Sequence, residues 1–472
     1  MSLHQEIESV IGERAAIGIH RDMLAHLLDS FLQAYNQDSV LVRAWPIPGR
    51  RLAMSMRLAR TPQVEARNVG RRMLVALKGT ILSVRLCGND PNGLADEGYV
   101  LDGFDVSFPE VLGEVGSDTN GRLVLSHARD IQVQDPAVVD DPTQREPTHI
   151  DDKFPKHDYE HFKFGLQSSV VSGAPDVLLK AVPIDALFAI VRLRPAVPYE
   201  YSVVGHGDYL MISSPRPHLV EDETRDCFHA GKDITVTPGP PQRGTDQDGH
   251  ATMEVPAIVV HRHPVTGLVG AISAPSMFLY VHNDLRLALS RERIGGAVST
   301  HHDEPATPFY WQYNVTAALD GDVRIETNAS AQSVRVSTKW AIFGAAGAGI
   351  EIECVRYEVL GATVDGRIGD LSATLALSVD QDARLVMEPQ IAASDAAIRL
   401  SSTDLFPLDV VATRIFRSIQ DKIVKKATAK FAEDLRMTLI DPAGLPLTRH
   451  GYEFQGSISD RSELYGIKER KG

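Results

Sequence analysis

The strongest constraint on this chain is a stripe near its C-terminus. Between Phe406 and Met437, apolar side chains recur at Leu408, Val411, Ile415, Ile419, Ile423, Ala427, Phe431 and Leu435. That spacing predicts one long amphipathic helix, ~45–50 Å from end to end at 1.5 Å per residue. Asp404 stands where an N-cap would, and Pro442 lies just beyond the stop. A short element cannot bury a stripe of this length. It requires an apolar partner equally long.

The segment from Tyr310 to Leu400 supplies a candidate partner, because it reads as about seven strand-like stretches with polar or glycine breaks. In SVRVSTKW, Val334, Val336, Thr338 and Trp340 face one way, while Ser333, Arg335, Ser337 and Lys339 face the other. IEIECVRYEVL and LSATLALSV alternate similarly, and a meander of long antiparallel strands with one oily face follows. The small-residue run Gly344–Gly349 reads as a flexible hairpin tip between two strands, or as a small apolar tip that touches a membrane. At the other end of the chain, a helical stripe runs from Ile19 to Tyr35 through Met23, Leu27 and Phe31. Strand patterns follow in LAMSMRLAR, in RRMLVALKGTILSVRLCG (one strand, or a pair broken at Gly79), in YVLDGFDVSF and in RLVLSHARDIQVQ.

The expected organisation is therefore α+β, with long antiparallel β-sheets wrapped around long amphipathic helices in an elongated molecule. Residues 1–135 form a helix-plus-sheet module. Residues 136–156 are a Pro- and Asp-rich linker, since proline at this density stops helices and removes ladder donors. Residues 157–309 are mostly β with long loops, including a mobile loop from Thr237 to His250. Residues 310–446 hold the meander and closing helix, and 447–472 a polar, mobile tail.

In its N-terminal helix, long strands and closing helix LFPLDVVATRIFRSIQDKIVKKATAKFAEDL, the chain resembles the tubular lipid-binding superfamily, which includes the bactericidal/permeability-increasing proteins. The resemblance is architectural and covers roughly the first and last 135 residues. It implies non-catalytic binding of a lipid, fatty-acid-like or other apolar ligand in an elongated groove. No functional residue transfers from it. On the residues alone, such a groove would be lined by the helix stripe and the facing strand: Ile415, Ile419, Ile423, Ala427, Val336 and Trp340. The same architecture with a filled core would instead be an interaction or assembly component, for instance of a toxin or secretion cluster, with a protein partner and no ligand.

Charge and motifs narrow the chemistry. The 472 residues carry 48 Lys and Arg against 62 Asp and Glu, a net −14 that disfavours nucleic acid as a partner. The closing helix runs against this trend, with Arg414, Arg417, Lys422, Lys425, Lys426, Lys430 and Arg436 opposed by Asp409, Asp421, Glu433 and Asp434. Such a face suits solvent or peripheral contact with an anionic membrane. Cys87, Cys227 and Cys354 are too few and too scattered for a disulfide framework or a zinc cluster. The N-terminus lacks a basic start followed by an apolar run, so the expected location is the cytoplasm, or outside by export without a classical signal.

Catalytic patterns are scarce. His157-Asp158-Tyr159-Glu160-His161 matches H-x-x-E-H, in which a helix would bring His157 and His161 to one zinc with Glu160 as base. Pro155 and Gly165 flank it, which favours a solvated turn and leaves a metal-dependent hydrolase as a second alternative. His261-Arg262-His263 and His301-His302-Asp303-Glu304 are further clusters of ligand types beside prolines. G-x-S-x-G, Walker and G-x-G-x-x-G patterns are absent. The expectation is a non-enzyme without a cofactor.

Overall fold

The computed structural model describes residues 2–35, 40–47, 50–60, 62–87, 104–117, 123–127, 137–138, 193–195, 200–219, 234–261, 272–306, 309–353, 355–391, 393–402, 409–442 and 451–470. Most of these residues lie in antiparallel strands. The largest sheet has eleven: β1 (Ile234–Pro238), β2 (Gln242–Thr245), β3 (Ala251–His261), β4 (Ala297–Ala306), β5 (Phe309–Leu319), β6 (Arg324–Asn328), β7 (Ser333–Ile352), β8 (Val355–Val379), β9 (Leu385–Gln390), β10 (Ser394–Ser402) and β11 (Met437–Ile440). Their order is β1-β3-β10-β8-β7-β5-β4, with β2 beside β3, β6 beside β7, and β9 between β8 and β11.

Period-two patterning builds this sheet. On β7, Val334, Val336, Thr338, Trp340 and Ile342 are buried, while Arg335 and Lys339 are exposed. The run Gly344–Gly349 is not a hairpin tip. It lies inside β7, opposite the aromatic stretch of β5, where Tyr310 pairs with Gly349, Trp311 with Ala348 and Tyr313 with Ala346. A Cβ at Gly349 would overlap the Tyr357 carbonyl oxygen and come within 2.7 Å of the Tyr310 ring, and one at Gly344 would overlap the Asn314 carbonyl oxygen, so glycine here lets the neighbouring strands approach closely. The chain turns after Ile352, which pairs with Val355. The expected loop at Thr237–His250 is also ordered: Gln242–Thr245 pairs with Ala251–Glu254, and Asp246 Oδ1 accepts from the backbone N–H groups of Asp248 (3.0 Å) and His250 (2.8 Å).

The closing segment does not form one uninterrupted helix. It forms α-helix Asp409–Ile419, a π-helical turn Gln420–Val424, and α-helix Lys425–Leu435, and Met437 already begins β11. The reason lies in the stripe. Ile415, Ile419, Ile423, Ala427, Phe431 and Leu435 repeat every four residues, and at 3.6 residues per turn such a row drifts ~40° per repeat. One i→i+5 turn absorbs an extra residue, ~100° of rotation, and returns the row to the core side. All six are at most 1% exposed. The π-turn packs against both β1 and β4, the two ends of the sheet order, so the sheet curls around it.

A six-stranded sheet runs in the order Ser202–His206, Tyr209–Ser214, Ala15–His20, Met277–His282, Ser462–Glu469, Tyr452–Ile458. Two expectations change here. Ile19 belongs to a strand, and the helix expected from Ile19 starts at Arg21, where the Asp22 N–H donates to His20 Nδ1 (3.3 Å); a shorter helix, Leu3–Ile11, precedes both. The polar tail is not a tail: Leu464, Tyr465 and Ile467 are fully buried between neighbouring strands, and its polar residues take partners from distant segments. A seven-stranded sheet occupies the N-terminal region, with Arg72–Cys87 running unbroken through Gly79. One apolar core joins these three sheets, from Ile17 and Val75 to Val336 and Ile419, and a separate two-stranded ladder pairs Leu193–Pro195 with Pro217–Leu219. Of the 136–156 segment, only the short strand Ala137–Val138 lies within the described residues.

Candidate functional site

The six expected groove residues are all buried. Ile415, Ile419, Ile423 and Ala427 on the helical side, and Val336 and Trp340 on β7, are all 0% exposed and belong to one core cluster. Fully burying a Val or Ile side chain stabilises by about 1.5–3 kcal/mol, so the burial of these residues contributes heavily to stability.

Four polar atoms interrupt this aliphatic lining. Trp340 Nε1, Thr338 Oγ1, Thr428 Oγ1 and Gln420 Oε1 are buried without a hydrogen-bond partner. Gln420 is half-satisfied, since its Nε2 donates to the Val255 carbonyl on β3 (2.7 Å). Their levels agree. Gln420 and Thr428 are eight positions apart, ~12 Å of helix rise. Cross-strand rows link Val255 through Ile398 and Gly366 to Ile342, two residues from Trp340 and four from Thr338. Gln420 and Thr428 thus lie about two helical turns apart, and Trp340 and Thr338 lie within four residues of the cross-strand row that reaches Val255. Leaving such a group unpaired costs about 1–3 kcal/mol, and native structures rarely tolerate it without a reason. Together they offer one N–H donor, one carbonyl acceptor and two hydroxyls, with no charge. The π-turn carries Gln420 itself, and π-turns inside α-helices are frequent at functional sites.

The sequence held a signal for Gln420 and Thr428. A second row, Phe416, Gln420, Val424, Thr428 and Ala432, runs beside the first with the same four-residue period, and every member is at most 1% exposed. Its two polar members are the unpartnered ones.

Toward the β4–β5 end of this interior, the lining becomes aromatic and polar. Lys422 donates to His302 Nδ1 (3.0 Å), the His302 ring lies 4.4 Å from Trp311 and 5.5 Å from Tyr313, and the Tyr313 hydroxyl meets Ser418 Oγ at 3.1 Å. His301 and His302 alternate along β4 and point to opposite faces, and Asp303 is paired with Arg356 at 2.8 Å. This is not a metal cluster; among the described residues, no three His, Cys, Asp or Glu side chains gather as one. His157, Glu160 and His161 lie outside the described residues, as do Arg262, His263 and Cys354. The seven basic residues of the closing segment do not make one free basic face either. Lys422 is engaged by His302, Lys430 by Asp434 (3.0 Å) and Arg436 by Glu388 (3.4 Å).

The outer side of the same sheet bears an open groove of about 1000 Å³. Arg335, Lys339 and Arg367 line it together with Asp320, Asp370 and Asp395, a mixed-charge surface unlike the neutral interior.

No family model matches the chain, and no curated protein matches it. Among solved structures, a crystal structure of lipopolysaccharide binding protein aligns over 96% of this chain and 98% of its own, with 12% identity and a TM-score of 0.27. Dicamba monooxygenase bound to dicamba aligns over 80% and 85%, with 10% identity and a TM-score of 0.10. At TM-scores this low, neither similarity gives this chain a fold or an activity.

Proposed function

We propose that the protein binds, without catalysis, an uncharged or weakly polar apolar molecule of acyl-chain type between the helical segment and the curled sheet. The supporting observation is the set of unpartnered groups, Trp340, Thr338, Thr428 and Gln420, set in an aliphatic lining. Ligand sites are characteristically apolar with a few convergent polar groups that fix orientation. Aliphatic side chains offer adaptable area to a flexible chain, and hydroxyl, amide and indole groups suit an ester or hydroxyl better than an ion.

Native mass spectrometry of the purified protein, followed by titration with a fluorescent phospholipid probe, tests this reading. The expected result is stoichiometric uptake that persists at high salt, because apolar burial is not screened. Ala427→Trp places an indole beside Ile423 and Phe431 and is expected to reduce uptake severalfold, with circular dichroism to confirm that the variant is folded. Absence of uptake by the parent chain would sink the proposal and leave the assembly-component reading in front.

A further inference from the structure

We infer that the β7–β8 hairpin end is a membrane-docking element that seats on a zwitterionic lipid surface. Among the described residues, ten large apolar side chains stand exposed. Five of them, Phe309, Ile352, Val355, Tyr357 and Val359, belong to this hairpin and the adjoining start of β5. The others (Val10, Val69, Ile258, Phe343 and Val379) are scattered singly, which is ordinary for a protein surface.

The register shows what the cluster continues. Phe309 pairs with Ile350, Ile350 with Tyr357, and Ile352 with Val355. By strand alternation, these side chains share the face of Tyr313, Ala346, Ala348 and Leu360, which lead into the interior beside the helical segment. Within a few residues that face passes from buried (Tyr313 1%, Ala348 3%, Leu360 1%) to open (Phe309 55%, Val355 50%, Tyr357 56%). The inference rests on the reading above in this one respect, that the docking face leads to the proposed ligand site.

Two features select the occupant. All residues from Val355 to Val359 are exposed, so both faces of the hairpin end are open. A medium that surrounds the end, as the headgroup region of a bilayer does, covers such a shape better than a flat protein partner. Charge decides the kind of lipid. Arg356, the one cation on the hairpin end, is neutralised by Asp303 (2.8 Å) and Glu351 (3.1 Å) and stacks 4.8 Å over the Tyr310 ring. Glu353 and Glu358 add negative charge. Nothing on the hairpin draws an anionic surface, while apolar and tyrosine side chains suit the interface of a net-neutral one.

Flotation of the full chain with phosphatidylcholine vesicles tests the assignment. The parent is expected to float. Val355→Asp and Tyr357→Asp, both at exposed positions, are each expected to lower partitioning by about tenfold or more, with unchanged melting temperature and unchanged uptake of a probe delivered from cyclodextrin. No flotation by the parent, or equal flotation of the variants, overturns the inference. A parental dimer that the two substitutions dissociate also overturns it and assigns the face to a second copy. Failure of the ligand reading has a separate signature, loss of probe uptake with flotation intact.

Discussion

Behind the six-stranded sheet, Arg286 of the helix Asn283–Arg293 donates to both carboxylate oxygens of Glu463 (3.1 and 2.6 Å) and to Met437 Sδ (2.7 Å), and the Tyr465 hydroxyl donates to the same carboxylate. Arg286, Glu463 and Tyr465 are at most 1% exposed, and every charge has its counterpart. Between the closing helices and the large sheet, burial is equally complete, yet Trp340, Thr338, Thr428 and Gln420 each keep an unpartnered polar atom. The charges of the first network are all paired, although Asn283 Oδ1 and Ser290 Oγ on the same helix also lack a partner. In the second region the unpartnered atoms include both polar members of the helical row, Gln420 and Thr428.

The largest effect expected from breaking the comparison is on the complete side. Glu463→Ala strands the Arg286 guanidinium in the core, and removing one partner of a buried pair costs about 3–5 kcal/mol. Chemical denaturation of the variant should show that loss, or no folded state at all. A variant as stable as the parent would mean that water reaches Arg286.

On the incomplete side the expected sign is reversed. Thr428→Val removes an orphaned hydroxyl at nearly constant volume, so the emptied, delipidated protein should gain up to about 1–2 kcal/mol. The same variant should hold the phospholipid probe more weakly. If melting curves show destabilisation and probe affinity is unchanged, Thr428 has a partner within the protein and the contrast between the two regions collapses.

The periodic parts of this molecule were legible in the sequence. The alternation on β7 and the row Ile415, Ile419, Ile423, Ala427 are statements about one element, and period alone reveals which face is buried. What was misread depends on residues far apart in the chain. Glycine and alanine from Gly344 to Gly349 look like a turn until Tyr310, Trp311 and Tyr313 are laid against them. Ser462 and Glu463 look like part of a solvated tail because their partners, His4 and Arg286, are more than 170 positions away. Thr338 could be placed on the inner face by alternation, but no local pattern says whether a buried hydroxyl will find an acceptor. The π-turn had a trace, a repeat of four where an ideal helix needs 3.6.

The smallest expected effect concerns His4, which bonds Ser457 (3.0 Å) and Ser462 (2.8 Å) beside the complete network. Burial holds its imidazole below the ordinary value of 6.5, against the raising influence of Glu8 and Glu463. The folded state therefore resists taking the proton. As pH falls through 6.5, the unfolded chain binds it first, and stability declines until the folded-state value is passed. Melting temperatures between pH 7.5 and pH 5 should show this decline superimposed on the general acid response, and His4→Gln should flatten that part. An unchanged slope would assign the acid sensitivity to other groups.

The π-turn has a mechanical consequence. It divides the closing segment into two units of unequal anchorage: Lys425–Leu435 packs on β1, β4, β8 and β9 and against the helix Asn283–Arg293, whereas the main strand contact of Asp409–Ile419 is β5. Local opening follows the weaker anchorage. The amides of Val411–Ile419 should exchange with solvent through fluctuations that leave Lys425–Leu435 protected, and the seam would part first at the end nearest Tyr313. Earlier exchange at Val411–Ile419 than at Lys425–Leu435 would mark the helical segment as a hinged flap, and equal protection of the two halves would mark it as one rigid unit.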